Sequence, residues 1–282
     1  MAIDLATKFQ PHTDDQFKAE SKKTLLTNTD FEWSGAHTVK VYKVTTSQMN
    51  DYNRKGDNNG NWSRYGAVAG LDATTEEMTL KKDRSFTFAI DKLDTDETQQ
   101  QLAAASALAR QNREVVIPEV DAYTYGVMAE KAGSKPEALE LTPENIYTEI
   151  LKGSQALDDA EVPETGRVLV VDPARYALMK KCKDITMETN VGNELRLQGV
   201  IGILDGMNVQ KIPANRLPKG FGFMIAHPSA TVAPVKLEDY KIHEDPPGIS
   251  GSLVEGRIVY DAFVLDNKAK AIYYQAQPVA GA

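Results

Sequence analysis

The sequence predicts a mixed α+β protein from which a long two-stranded β-ribbon projects, and three observations carry that expectation. Met78 to Ile90 alternates without a break: Met78, Leu80, Lys82, Arg84, Phe86, Phe88 and Ile90 share one side, Thr79, Lys81, Asp83, Ser85 and Thr87 the other. As one strand of about 13 residues at roughly 3.4 Å each it would be about 44 Å long, against a radius of gyration of roughly 19 Å for a globule of this size. Gln99 to Arg113 is rich in Ala, Leu, Gln and Arg, the strong helix formers. Val200 to Leu204, Met207 to Ile212 and Phe221 to Ala226 read as strands of one sheet.

Taken in order, Ala2 to Trp33 is polar with scattered Leu5, Phe9, Phe17, Leu25, Leu26 and Phe31, which suits an arm lying across another surface. His37 to Val44 alternates, Val39 and Val41 against Tyr42 and Val44, and is the expected antiparallel partner of the long strand. Asn50 to Gly70 carries Gly56, Gly60, Gly66 and Gly70 among Asn and Asp, the composition of a ribbon tip. A lone two-stranded ribbon is marginal in water and its open edges invite pairing. Neighbouring copies of the chain are therefore expected to cover it.

Asp94 is expected to cap a helix with Glu97 as its reciprocal partner. Ala103, Ala104, Ala105, Ala107 and Ala109 would let a neighbouring backbone come close, while Leu102 and Leu108 supply bulk. Pro118 suits a first helical turn, so it is expected to restart the helix, with Val120, Tyr123, Val127 and Met128 apolar and Gly133 the stop. Thr142-Pro143 opens a helix through Ile146, Ile150, Leu151 and Leu157; Arg167 to Val171 suits a central strand; Asp172 caps Pro173 to Lys183. Asp205-Gly206 reads as a two-residue turn. After Val232 to Ile242 and a Pro246-Pro247-Gly248 break, Leu253 to Leu265 is expected to form a hairpin with Ala271 to Tyr274 around Asp266-Asn267-Lys268.

With 282 residues, 41% of them hydrophobic, the chain can bury a sizeable core. Its net charge of −8 and pI near 5.2 repel a nucleic-acid backbone and leave no footprint for specific nucleic-acid binding. The single cysteine, Cys182, excludes an intrachain disulfide and a cysteine zinc cage, and reads as a small buried apolar residue. Met1 to Gln10 lacks a secretory apolar region and no apolar run reaches roughly 18 residues, so no membrane partner is expected. His12, His37, His227 and His243 form no ligand pair, and Gly220-Phe-Gly222 lacks the third glycine of a phosphate loop. Ser250 with His243 and Asp245 lacks the spacing of a nucleophile elbow. No catalytic residue, metal or cofactor is expected.

The order of parts is a polar arm, a ribbon, a long helix, an α+β domain and strands returning to the start. Four local segments fit it: Phe88-Ala-Ile-Asp-Lys-Leu-Asp-Thr-Asp-Glu97, Val116-Ile-Pro-Glu-Val-Asp121, Gly206-Met-Asn-Val209 and Arg257-Ile-Val-Tyr-Asp-Ala-Phe-Val264. Over nearly its whole length the chain resembles the major capsid proteins of tailed phages, the family with the HK97-type fold. That resemblance implies an N-terminal arm at 1–34, an extension loop at 35–93, a spine helix with the first part of a peripheral domain at 94–141, an axial domain at 142–230, and the rest of the peripheral domain with the C-terminal strands at 231–282.

It also implies a structural role without catalysis, in which subunits form pentamers and hexamers of an icosahedral shell around double-stranded DNA held without sequence-specific binding. Val39, Val41, Tyr42, Trp62, Tyr65, Met78, Leu80, Phe86 and Phe88 would contact the neighbouring subunit, and Thr189, Asn190 and Asn193 would face the capsomer axis. Implied partners are further copies of the chain, a separate scaffolding protein, a portal and a decoration protein; the implied location is the virion, after assembly in the host bacterial cytoplasm. Lys40, Lys43, Lys55, Lys81 and Lys82 lie in the ribbon region without an identifiable Asn partner, so no crosslink is expected. The same fold also builds encapsulin-like bacterial nanocompartments. A soluble α/β enzyme with a dispersed site is the alternative from another class.

Overall fold

The computed structural model describes residues 21–28, 38–44, 46–55, 63–66, 68, 70, 71, 73–97, 104–185 and 200–278. It divides into two compact units, Gly35–Leu80 and a larger one made of Met1–Ser34 with Lys81–Ala282.

In the smaller unit, strands β1 (Thr38–Val44) and β2 (Ala73–Thr79) pair antiparallel from Thr38↔Thr79 to Val44↔Ala73. Period-2 alternation puts Val39, Val41, Lys43, Glu76 and Met78 on one face, where Lys43 meets Glu76 at 3.1 Å. On the opposite face Lys40 sits directly across from Glu77 at 2.5 Å, and the Thr38 and Thr79 hydroxyls are 2.9 Å apart. Opposite charges facing one another favour this register over a slipped one.

The expected unbroken strand from Met78 to Ile90 is divided at Leu80-Lys81. Strand β3 (Lys82–Asp91) leaves the first ladder and joins a different sheet, so the ribbon ladder spans about 24 Å at roughly 3.4 Å per residue. Side-chain alternation runs through the join while the hydrogen-bond partner changes: Thr79 lies opposite Thr38, and Lys82 opposite Tyr260.

Helix α1 (Lys92–Glu97) follows β3. Its cap is Asp91, whose Oδ1 accepts the Leu93 N–H at 2.9 Å; the expected cap Asp94 lies inside the first turn. Helix α2 (Ala104–Gln111) runs through a π turn at Asn112–Val116 into α3 (Ile117–Lys131). Pro118 sits in the first turn of α3, as expected, but the helix does not stop before it. The wide turn accommodates it, with the Ile117 N–H bonding the Asn112 carbonyl five residues back. Gly133 follows the helix end, and a Cβ there would stand 2.6 Å from the backbone of Ala269 and Lys270, so close approach is what requires glycine.

Next come α4 (Ile146–Asp159), β4 (Val168–Val171) and α5 (Pro173–Lys181), the last capped by Asp172, whose carboxylate accepts the Arg175 N–H at 2.7 Å. Leu151 of α4 is 43% exposed. Strands β5 (Val200–Leu204) and β6 (Met207–Lys211) turn through Asp205 and Gly206, at φ 48° and 76°. The chain ends with β7 (Phe221–Ala226), β8 (Thr231–Val232), β9 (Val235–Glu244), β10 (Gly251–Tyr260), β11 (Phe263–Val264) and β12 (Ile272–Ala276).

The expected hairpin of Leu253 to Leu265 with Ala271 to Tyr274 does not form. β10 is the centre of a sheet ordered β3-β10-β9, β11 pairs with β8, and β12 is an edge of the sheet ordered β12-β7-β4-β6-β5. Strands β5, β6 and β7 share one mixed sheet, as expected, together with β4 and β12, and the larger unit adds two further sheets. Asp266–Ala271 is a 3-10 segment that carries the chain from one sheet to another.

Both faces of the five-stranded sheet are covered, as its unbroken apolar strand β4 requires. Val168 and Val170 pack with Leu26 and with Tyr125, Met128 and Ala132. Leu169 and Val171 pack with Ile146, Ile150 and Leu157 of α4 and Met179 of α5, and Cys182 is buried in that cluster. The end of the π turn and the first turn of α3 serve the three-stranded sheet instead, through Val116 and Val120 against Ile258 and Tyr260.

Candidate functional site

Two polar anchors lie two residues apart on α3, and about 200° of helical rotation separates Asp121 from Tyr123. They therefore look to different sides of the helix.

The first anchor holds the segment 21–28. Asp121 is fully buried and pairs with Arg216, itself 2% exposed, at 2.8 Å. The same carboxylate accepts the Ser21 hydroxyl at 2.6 Å and the Lys22 N–H at 3.3 Å. Gln210 donates to the Lys22 carbonyl at 2.7 Å, and the Lys22 ammonium donates to the Lys211 carbonyl at 3.1 Å. Further along, Leu26 is fully buried in the sheet core and the Asn28 N–H bonds the Thr231 carbonyl at 2.7 Å. Burial first, then the charges of Arg216 and Lys211, hold Lys22 below the ordinary lysine value. Tyr125 is pushed well above its ordinary value, chiefly by burial and next by Asp121. Removing one partner of such a buried pair strands the other charge, whereas removing both with apolar groups is tolerated.

The second anchor surrounds Asp261, 3% exposed at the end of β10. Its Oδ2 accepts the Lys81 N–H at 2.8 Å; its Oδ1 accepts the Tyr123 hydroxyl and the Ala262 N–H, each at 2.8 Å. Lys82 lies 4.9 Å over the Tyr123 ring, and Tyr123 meets Tyr260 edge to face at 5.7 Å. Beside them Glu119 accepts from Arg84 at 2.8 Å and from the Tyr260 hydroxyl at 3.2 Å. Burial and then Glu119 push Tyr260 up to about 12, while burial and then Asp261 raise Tyr123.

The residues expected to contact a neighbour fall in several places. Val39 and Val41 lie on the half-buried ribbon face, Tyr42 is exposed on the other, and Met78 and Leu80 are buried. Tyr65 is exposed and meets Tyr52 edge to face at 4.9 Å, in a tip where Asn53 N–H bonds the Arg64 carbonyl at 3.0 Å. Gly66, at φ 96°, has Asn50 where a Cβ would sit. Phe86 and Phe88 belong to β3 in the larger unit; their rings are 6.2 Å apart, and Phe86 reaches across Gly256 toward Tyr240 at 6.1 Å. Trp62, Thr189, Asn190 and Asn193 lie outside the described residues.

Ser250, His243 and Asp245 are not joined by hydrogen bonds. His243 lies 3.3 Å from Glu255, and Asp245 accepts the Gly251 N–H at 3.0 Å. A cavity of about 630 Å³ lies beside them, lined among others by Asp91, Asp96, Glu244 and Ser250. Among the described residues no cluster of three or more His, Cys, Asp or Glu could hold a metal ion, and no helix is long and apolar enough to cross a membrane.

Neither polar anchor was read from the sequence. Asp121 had a signal: it stands four residues before the buried Tyr125 and four after Ile117, on an otherwise apolar stripe. Asp261 had none, since its partners come from distant segments.

The fold is shared with solved capsids. The chain is similar to the capsid structure of the cyanophage P-SCSP1u, with 13% identity, 98% of this chain and 93% of that chain covered, and a TM-score of 0.73. It is similar to the mature capsid of bacteriophage PhiM1 at 12% identity, with 98% and 92% covered and a TM-score of 0.70. It is also similar to a virus-like particle from Pyrococcus furiosus at 12% identity, with 91% and 92% covered and a TM-score of 0.55. No curated protein matches the sequence. Broken helix, three-layer body and ribbon thus define an α+β protein of the HK97-type capsid class. The sequence profile of the phage capsid protein family matches residues 73–275, and the chain belongs to that family.

Proposed function

We propose that this chain is the major subunit of an icosahedral phage head, assembling into pentamers and hexamers that close around double-stranded DNA in the virion. The observation that carries the reading is the 35–80 unit: a two-stranded ribbon with a tip that leaves Tyr42, Met49, Tyr65, Val68 and Leu71 exposed and has too few aliphatics to form a core of its own. A second copy of the chain is the natural cover, because every copy in a closed shell offers the same receiving surface.

In this reading 1–34 is the arm, 35–93 the extension loop, 94–141 the spine and the start of the peripheral domain, 142–230 the axial domain and 231–282 the remainder. The ribbon residues Val39, Val41, Tyr42, Trp62, Tyr65, Met78 and Leu80, with Phe86 and Phe88, meet a neighbour, and Thr189, Asn190 and Asn193 face the capsomer axis. A separate scaffolding protein, a portal and a decoration protein complete the particle in the host cytoplasm. The acidic chain confines DNA without reading its sequence.

A second reading, an encapsulin-like shell, is favoured only by the likeness to the Pyrococcus furiosus particle, at a lower TM-score than the two phage capsids named above. Negative-stain microscopy with light scattering on the expressed chain, alone and with its gene neighbours, tests the proposal. Closed shells or capsomer rings are expected. A persistent monomer even with a scaffold present would overturn it.

A further inference from the structure

Between the last rung of the ribbon ladder, Thr38↔Thr79, and the first rung of the next, Lys82↔Tyr260, residues 80 and 81 belong to neither ladder. This is also the boundary at which the 35–80 unit ends. A backbone leaving one sheet for another is expected to be loose there, yet the Lys81 N–H is held by a buried carboxylate.

We propose that Asp261 is a positioning residue for the ribbon: it fixes Lys81, so that the ribbon starts from a held point in the unassembled subunit. Three donors share its two oxygens, from Lys81 at the junction, Tyr123 on α3 and Ala262 at the end of the same strand, and none of the three is charged. Its own N–H bonds the Pro234 carbonyl at 3.2 Å, so backbone and side chain are both fixed. Keeping a carboxylate buried on neutral donors alone is costly. An amide of the same shape could accept from only part of this set and would turn its NH₂ toward a donor. The acceptor-only carboxylate is therefore matched to the task of gathering the junction, the helix and the strand end at one point. Holding the junction before assembly lowers the ordering cost of each contact the ribbon makes afterwards.

The inference rests on the assembly reading for its consequence but not for its geometry, and its test separates the two. Hydrogen exchange on unassembled subunits is compared between the wild type, Asp261→Asn and Tyr123→Phe. Asp261→Asn should raise exchange of the Lys81 amide at least about tenfold, the size of one lost buried hydrogen bond at about 1.4 kcal/mol. Tyr123→Phe, which leaves the Lys81 bond in place, should raise it less. Shell yield should then fall in the order wild type, Tyr123→Phe, Asp261→Asn. Unchanged Lys81 exchange in a folded Asp261→Asn subunit would overturn the anchor, as would raised exchange with normal shell yield. If Asp261→Asn does not fold, Tyr123→Phe decides alone, and wild-type exchange and yield in that variant overturn the proposal. Failure of the wild type to assemble counts against the capsid reading and leaves the exchange result standing.

Discussion

Replacing Arg216 with methionine removes the cationic half of the pair under the 21–28 segment while keeping most of its volume. Asp121, with no exposed surface, would then be left with the Ser21 hydroxyl at 2.6 Å and the more distant Lys22 N–H at 3.3 Å. Breaking a buried pair from one side costs about 3–5 kcal/mol, because the remaining charge stays desolvated. Urea unfolding of the unassembled subunit, followed by far-ultraviolet circular dichroism, should show that loss as a lower midpoint at unchanged slope. Asp121→Leu with Arg216→Met should recover most of it, since no charge is then left buried. Limited proteolysis should also cut nearer residue 21 in the single variant, because the anchor of the segment is weakened. A loss below about 1 kcal/mol in Arg216→Met, the value of an exposed pair, would falsify the assignment of a buried, interdependent anchor.

Deleting Asn50 to Gly70 should leave the larger unit folded, with near-native circular dichroism and melting, and abolish complete shells in electron micrographs; normal particles would remove the role given to the tip. Gly251→Ala should destabilise by at least about 2 kcal/mol in chemical denaturation, because its φ is 140° and a Cβ would fall 2.2 Å from the Ile90 carbonyl. His227 is held below its ordinary 6.5, first by burial and then by the charges of Arg167 and Lys268, against the Thr165 carbonyl. On acidification the unfolded chain takes up this proton first, so this contribution to stability is lost as pH falls below about 6.5. His227→Gln should therefore lose less stability than the wild type between pH 7 and pH 5; equal losses would count against it.

Much of the larger unit was legible because its signals are local. Asp172 ahead of Pro173, the Asp205-Gly206 turn, the continuous apolar β4 and Pro118 at a helix start each act within a few residues, and each is where the sequence placed it. What failed depends on partners. Alternation in Met78 to Ile90 reports which way side chains point, and that phase survives the change of sheet at Leu80-Lys81. The supposed C-terminal hairpin failed likewise: both runs are strands, but β10 finds β3 and β9 while β12 finds β7. Tyr42 and Tyr65 are exposed, and the phase that sets Tyr42 opposite Val39 and Val41 on β1 was legible from alternation. The Asp261 and Asp121 anchors were not, since each joins residues about a hundred or more positions apart.

The π turn at Asn112–Val116 amounts to one residue more than a regular helix would hold. One residue is about 100° of rotation, so the stripes of α2 and α3 do not line up along the rod. Deleting a single residue there would straighten the ladder, bring Pro118 into conflict with a carbonyl four residues back, and swing every side chain of α2 by roughly a quarter turn. A single rod can thus present two differently aimed seams, and the whole difference between them is carried by one inserted amino acid.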